Sequence, residues 1–293
     1  MIAVNEPLTD MWGRARDVDR CLGRHRPSCY EAVGWRSLSV CASLFQVTTS
    51  ASFYRHDLAV VHHRGFGFHA AACAPGILGL LAPLRAQQGL VLELGCGTGL
   101  LTKELVAAGH RVIASDASLA MLDVARELLG DRAEEVRQLT LPDDPLPRAD
   151  AIVAVGHPLN YLPDAGAIDQ ALIAIAGSLR PGGLLALDIC DLDYGRARRE
   201  APQFAEVRED WAIITKFSMP TADRFVRDIT TFLPNPDGSW RRDSEHHENV
   251  LVDTAQIPAL LRQHGVEAQV GASFDTETNP AGLRVVIGRK LTS

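Results

Sequence analysis

Glu93-Leu-Gly-Cys-Gly-Thr-Gly99 concentrates the groups best suited to chemistry in this chain. Glycines at 95, 97 and 99 let the backbone turn sharply and approach a ligand without side chains in the way. A helix expected directly after them would offer free N–H groups in its first turn. In a dinucleotide-binding protein such groups receive a pyrophosphate. Glu93, just ahead of the loop, suits a ligand with a cationic amino end better than a pyrophosphate. Asp116 ends the next expected strand, about twenty residues on, where a carboxylate can accept both hydroxyls of a ribose. Cys96 reads as a small packing residue of the loop rather than a nucleophile.

Val155-Gly-His157 ends another expected strand. A histidine with a pKa near neutrality can take a proton from an attacking hydroxyl or amine. The competing reading is a loop histidine held by backbone ahead of Pro158, because aligning two reactants supplies much of the rate of a group transfer. Asn160 and Tyr161 follow as candidate pocket walls. His246-His-Glu248 falls on an expected strand, where adjacent side chains point to opposite faces and hold one metal poorly. Cys21, His25, Cys29 and Cys41 fit no familiar zinc spacing. No metal site is therefore expected.

The elements that must carry these residues alternate regularly over 89–190. Strands are expected at Leu90–Leu94, Arg111–Ser115, Glu135–Leu139, Ala149–Val155 and Leu184–Ile189. Between them lie helices from Leu101 to Ala108 (closed by Gly109), from a Ser118 cap to Leu129, and from Asp164 to Leu179. Leu119, Leu122 and Ala125 are placed on the core face of the second, and Pro181-Gly-Gly183 is expected to break the chain before the fifth strand. Strands separated by such helices imply right-handed crossovers and a parallel sheet covered on both faces. Helical character runs from Phe53 to Leu84. After Cys190, strands near Trp211–Phe217, Phe225–Phe232 and Ser239–Val252 are joined by turns, the clearest at 234–238. A helix at Thr254–His264 and strands at Val266–Phe274 and Leu283–Gly288 close the chain.

Residues 89–190 resemble the class I S-adenosylmethionine-dependent methyltransferases of the small-molecule type. The matching pieces are ELGCGTG at 93–99, D-A-S-x-x-M-L at 116–122, the strand ending in Gly156-His-Pro-Leu-Asn-Tyr-Leu162, and L-R-P-G-G at 179–183. Weaker similarity runs from about Tyr54 to the carboxyl end. The resemblance implies a Rossmann-like α/β fold with a seven-stranded sheet whose last strand is antiparallel, the donor lying across the carboxyl ends of the first strands. It implies that Gly95, Gly97 and Gly99 line the methionine part and that Asp116 binds the ribose, with Glu93, Cys96, Ala117, Met121, Val155 and Gly156 as further cofactor-binding residues and the donor methyl pointing towards the strand end at His157. In related enzymes the segment around 54–66 folds over donor and acceptor, which makes Tyr54, His63 and Arg64 lid or carboxylate contacts; a solvated helix face is the other reading. Such proteins usually carry an acidic residue for the adenine amino group after the third strand. Here that position is Thr140, so the contact falls to Thr140, Leu141 and nearby backbone, or to Asp143 or Asp144.

Four segments follow: an amino-terminal arm or cap (1–52), the cofactor-binding core (53–204), an antiparallel insertion (205–252) that covers the acceptor or builds a homodimer, and a closing helix with strands (253–293). A formal net charge of −7 disfavours a nucleic-acid partner. The longest apolar run, Gly76 to Leu84, is short of the roughly 20 residues a bilayer requires, so no membrane partner is expected. Six scattered cysteines in a chain this long point to reduced thiols and the cytoplasm. The expected function is methyl transfer from S-adenosylmethionine to an oxygen, nitrogen or carbon of a metabolite. A methyltransferase fold performing a non-methylating cyclisation or elimination is the alternative, and a nicotinamide-dependent oxidoreductase stands behind it.

Overall fold

Two sheets carry the part of the chain that the computed structural model describes, residues 53–292. The amino-terminal segment and its three cysteines lie outside these residues. Two helices, α1 (His56–Gly65) and α2 (Phe68–Ala86), lead into β1 (Leu90–Leu94), α3 (Leu100–Ala107), β2 (Arg111–Asp116), α4 (Leu119–Leu129), β3 (Glu135–Gln138) and β4 (Ala149–Ala154). Next come α5 (Ala165–Ser178), β5 (Leu179–Cys190) and the short α6 (Leu192–Arg196). Four strands follow, β6 (Phe204–Val207), β7 (Ala212–Thr221), β8 (Arg224–Pro234) and β9 (Trp240–Val250), and then α7 (Ile257–Gln263), β10 (Val266–Gly271) and β11 (Leu283–Lys290).

The first sheet has seven strands in the order β10-β11-β5-β4-β1-β2-β3. Strands β1 to β5 pair in parallel, while β11 runs antiparallel to both β5 and β10. This is the Rossmann-like architecture expected from the sequence, with a reversed last strand. Period-two alternation distributes the side chains between two covered faces. Leu92, Leu94, Ile152, Leu185, Leu187 and Ile189 pack towards α5 and α7, whereas Val91, Val153, Leu184 and Ala186 pack towards α2 and α3. The same alternation sends Glu93 and Asp188, two buried carboxylates among apolar neighbours, to the second face.

The other sheet is an antiparallel meander, β6-β7-β8-β9. Its β6 was not foreseen, because four residues are too few to show a period. Helix α1 seats Leu58 and Val61 on Trp211, Ile213, Ile229 and Leu233 of this sheet. Burying each such side chain contributes roughly 1.5–3 kcal/mol, so packing anchors the helix although its N-cap residue Arg55 makes no side-chain capping bond.

Three expectations are corrected. Leu119 is 53% exposed: the Ser118 cap, whose Oγ accepts from the Met121 N–H at 3.1 Å, starts α4 at Leu119, and at about 3.6 residues per turn this residue falls to the side of the buried stripe of Met121, Leu122, Ala125 and Leu129. Pro181-Gly-Gly183 does not end the pairing of β5: the register jumps from Ala149–Leu179 to Ala151–Leu184, so the segment bulges within a continuous strand. Helix α2 is longer than the apolar run seen in the sequence. Its 19 residues reach the length and composition of a membrane span, yet Cys73, Ile77 and Leu81 are fully buried in the core cluster formed with the sheet.

Candidate functional site

The glycine loop links β1 to α3 at the carboxyl edge of the parallel strands. Gly95, Gly97 and Gly99 have φ of +67°, +55° and +81°, conformations that a residue with a Cβ adopts only at a cost. A Cβ on Gly95 would lie 2.5 Å from the Cβ of Pro158, so this glycine also lets the β4 turn close in. A Cβ on Gly97 would meet nothing within 4 Å. The loop therefore presents bare backbone to open space at that point. The Cys96 N–H donates to Ser115 O at 2.8 Å, tying loop to β2, and the Cys96 thiol is buried and pushed well above its usual pKa by that burial.

Asp116 ends β2 with both carboxylate oxygens oriented. Gly97 N–H donates to Oδ2 at 2.9 Å and Ser118 N–H to Oδ1 at 2.8 Å. Burial raises its pKa against these amide donors. A carboxylate has about four acceptor directions, so the amides fix its plane and leave capacity for a diol. Ser118 Oγ also donates to Tyr54 O at 2.8 Å, so the α4 cap holds Tyr54, whose φ is +56°. Met121 is buried beneath this turn. Ala117 O accepts from Gln138 Nε2 at 2.9 Å.

Glu93 is 2% exposed and accepts from Thr102 Oγ1 at 2.7 Å. Burial lifts its pKa to about 8, so in this environment it holds a proton at neutrality. Its ionised form awaits a cation, and no arginine or lysine pairs with it among the described residues. His63 reaches the same loop from α1, with Nδ1 3.0 Å from Thr98 Oγ1. Arg64 points elsewhere: its guanidinium binds Asp210 at 2.8 Å on the exposed loop between β6 and β7. After β3, the Thr140 N–H donates to Asp144 Oδ2 at 2.7 Å, which commits Asp144 to its own turn. Thr140 and Asp143 are exposed there beside half-buried Leu141.

A second cluster starts where β4 ends. Val155 and Gly156 lead into His157, which has φ +48° and caps a short turn at Pro158–Tyr161. Its unusual backbone is held by Asp188, fully buried at the end of β5. The Gly156 N–H donates to Asp188 Oδ2 at 2.9 Å and the His157 N–H to Oδ1 at 2.5 Å. His69 of α2 completes the arrangement with Nε2 2.7 Å from Oδ2. Burial by itself would lower the His69 pKa, but its hydrogen bond and charge interaction with Asp188, helped by Cys73, win and raise it to about 10. Asp188 is held low for the same reason, its burial notwithstanding.

The His157 ring is a different matter. It lies parallel to the Tyr161 ring at 6.0 Å, and its Nδ1 is buried with no partner among the described residues. Burial, with the nearby charge of Arg227, pushes its pKa down to about 3. Of the two readings of His157, this favours the loop histidine held by its backbone over a base poised near neutrality: burial keeps the ring neutral. Tyr161 is the hub of the cluster. Its hydroxyl lies 2.9 Å from that of Tyr54 and 3.5 Å from His247 Nδ1, and it accepts from Arg227 Nη2. Asn160 is fully buried and structural, its side chain bridging Cys190, from which it accepts an N–H, and the carbonyl of Val250.

Sequence reasoning missed Asp188, His69, His62 and Arg227. Asp188 had a signal, a lone carboxylate inside an apolar strand; the others had none. His246 and His247 do point oppositely, His246 to exposed Asp228 and His247 into the interior against Glu245 at 2.9 Å. Among the described residues no group of three or more metal-ligating side chains converges.

A methyltransferase-domain family model matches residues 91–183. Cypemycin N-terminal methyltransferase of Streptomyces sp is 30% identical over 224 residues, which make up 73% of this chain and 89% of that protein. Glycine N-methyltransferase of Mus musculus is 36% identical over 135 residues, 40% of this chain and 45% of that protein, so the match spans less than half of that relative. Among solved structures, the sugar N-methyltransferase KedS8 from Streptoalloteichus sp aligns with a TM-score of 0.66 at 20% identity, over 89% of this chain and 99% of that one. An S-adenosylmethionine-dependent methyltransferase from Clostridium acetobutylicum gives 0.65 at 16% identity, over 80% and 97%. At these identities the structural likenesses speak for the fold.

Proposed function

The chain belongs to the class I S-adenosylmethionine-dependent methyltransferases, and from that premise we propose that it methylates a nitrogen of a small molecule, by alignment and without a strong base. Membership in this family displaces the nicotinamide reading. The residues present fit the donor: open backbone at Gly97, an oriented carboxylate at Asp116 and a buried carboxyl at Glu93 with no cation beside it among the described residues. Asp116 would take the ribose hydroxyls, the 95–99 loop the methionine part, and the 140–143 turn the adenine edge. Bound S-adenosylmethionine supplies an electrophilic methyl group.

The observation that carries the choice of nitrogen is the setting of the His157 ring: it lies parallel to Tyr161, its Nδ1 is buried without a partner among the described residues, and that burial holds its pKa down, to about 3. A hydroxyl acceptor has to shed its proton as it attacks, and catalysis of that step needs a base matched to the working pH. A free amine attacks as it stands and releases a proton to water afterwards. A neutral His157 accepts a hydrogen bond from such an amine through Nδ1 and aims its lone pair, while His69 and Asp188 keep the 156–157 turn in place. Tyr54 and Tyr161 exclude water beside it. Nitrogen also stands in the printed names of the glycine and sugar relatives, both N-methyltransferases. The three described cysteines are free and buried, which supports a cytoplasmic setting.

The test is release of S-adenosylhomocysteine with matched acceptors, a panel of primary and secondary amines beside their hydroxyl counterparts. Turnover with amines that rises with pH until the amine is deprotonated is the expected outcome. Turnover confined to hydroxyl or carbon acceptors would overturn the reading.

A further inference from the structure

Arg227 sits on β8, on the interior side of the second sheet, and has no carboxylate partner among the described residues. Its Nη2 donates to Tyr161 Oη and, at 3.1 Å, to Asn249 Oδ1, both neutral. Its Nε is buried and unpartnered among the described residues, as is Nδ2 of Asn249, itself 1% exposed. The carboxylates nearest in the fold are engaged elsewhere: Glu245 with His247 and the Arg55 N–H, Asp188 with His69 and the 156–157 amides, Glu248 with Arg224 and Asp228 with His246. The imidazoles around it supply no charge of either sign. His62 is pushed to about 4 and His157 to about 3, in each case by burial first and then by Arg227.

Arg227 is half-buried with its Nε fully enclosed, and a charge drawn out of water is costly unless an opposite charge offsets it. A fully neutral wall would have served if only packing were required. Two unused donors, Arg227 Nε and Asn249 Nδ2, therefore mark a place for an anion. The position is defined by the hydroxyl of Tyr161: Arg227 donates to it, Tyr54 meets it, and His157 stacks on its ring at the end of β4.

We propose that Arg227 and Asn249 form a carboxylate-binding subsite for the methyl acceptor, which makes the substrate an amine that also bears a carboxylate. This rests on the methyltransferase reading above. The choice of a carboxylate follows from the charge: one cation and one amide balance a monoanion, whereas a phosphate dianion would leave a buried charge uncompensated. The subsite then places the amine by its far end, with His157 and the Tyr54–Tyr161 pair between the anion and the methyl-bearing side.

The experiment is a calorimetric and thermal-shift comparison on the full chain, with acetate, acetamide and inorganic phosphate as probes at constant ionic strength set with chloride. S-adenosylhomocysteine binding is measured on the same samples. Wild type should bind acetate at least tenfold more tightly than acetamide or phosphate. Arg227→Met should lose that preference, Arg227→Lys should keep part of it, and all three proteins should bind S-adenosylhomocysteine alike, which also certifies folding. Equal shifts from acetate and acetamide, tighter binding of phosphate, or an acetate preference that survives Arg227→Met would each overturn the subsite. Failure of wild type to bind S-adenosylhomocysteine would instead break the methyltransferase reading, so the two failures are distinct.

Discussion

The glycine-loop edge and the Tyr161–Arg227 cluster solve opposite problems. At the loop, backbone does the work, and its partners lie close in the chain or on the adjoining strand: Gly97 with Asp116, Cys96 with Ser115, Glu93 with Thr102. Its polar groups are largely satisfied before any ligand arrives. In the cluster, side chains do the work, drawn from 54, 62, 157, 161, 227, 247 and 249, and four of them leave a buried polar atom without a partner among the described residues. A common donor calls for a fixed cradle, whereas an acceptor particular to one enzyme calls for groups that only that acceptor completes. The pair His69–Asp188 stands between the two, fixing the turn from which His157 projects.

The largest effect should come from breaking that pair. Asp188→Asn leaves His69 without its counter-ion and weakens the hydrogen bonds donated by the Gly156 and His157 N–H groups, and removal of one partner of a buried pair costs about 3–5 kcal/mol, read by denaturant unfolding at pH 7. The pH dependence has a definite sign. The His69 pKa is raised from 6.5 to about 10 on folding, so its contribution is full below about pH 6.5 and is lost as pH rises through 10. The stability gap between wild type and His69→Gln should therefore be widest at pH 6 and shrink towards pH 10. A gap that widens with pH would show that His69 is not the protonated partner.

Asp116→Ala should come next, weakening S-adenosylhomocysteine binding by about 1.5–3 kcal/mol, the usual worth of hydrogen bonds to a charged group. Calorimetry on the folded variant measures it. Unchanged affinity would detach Asp116 from the site and leave it as a loop anchor only.

The contrast between the regions also explains how far the sequence could be read. The seven-stranded sheet was legible because strand and helix periods alternate over 89–190, and the loop because its glycines, Ser118 and Asp116 act within about one strand and turn. Arg227 was invisible: in β8 it alternates with other residues like any strand side chain, and its meaning depends on its neighbours from β4, β9 and α1. His157 was legible as a position, but its role stayed open between base and loop histidine, because burial and the charge of Arg227, which bear on its pKa, come from the tertiary fold. Leu119 was misread for a simpler reason, lying on the first turn of its helix but to the side of the stripe that Met121 and Leu122 begin.

The smallest effect is expected at His157. A ring with a pKa of about 3 contributes alignment alone, so His157→Asn should retain turnover within about tenfold, on the order of 1.4 kcal/mol. The acidic limb of the pH–rate profile should belong to the amine acceptor and be unchanged by the substitution. A loss of about 10²–10⁴-fold, together with disappearance of that limb, would restore the histidine as a general base.

The most direct measurement is native mass spectrometry of the purified chain with S-adenosylmethionine, wild type beside Gly97→Val. A β-branched residue at φ +55° strains the loop and fills the space a ligand backbone contact requires. The account predicts one bound S-adenosylmethionine on wild type and none on a folded Gly97→Val. Wild type without bound donor, or a variant that binds it as well as wild type, would contradict the claim that the glycine loop holds the methyl donor.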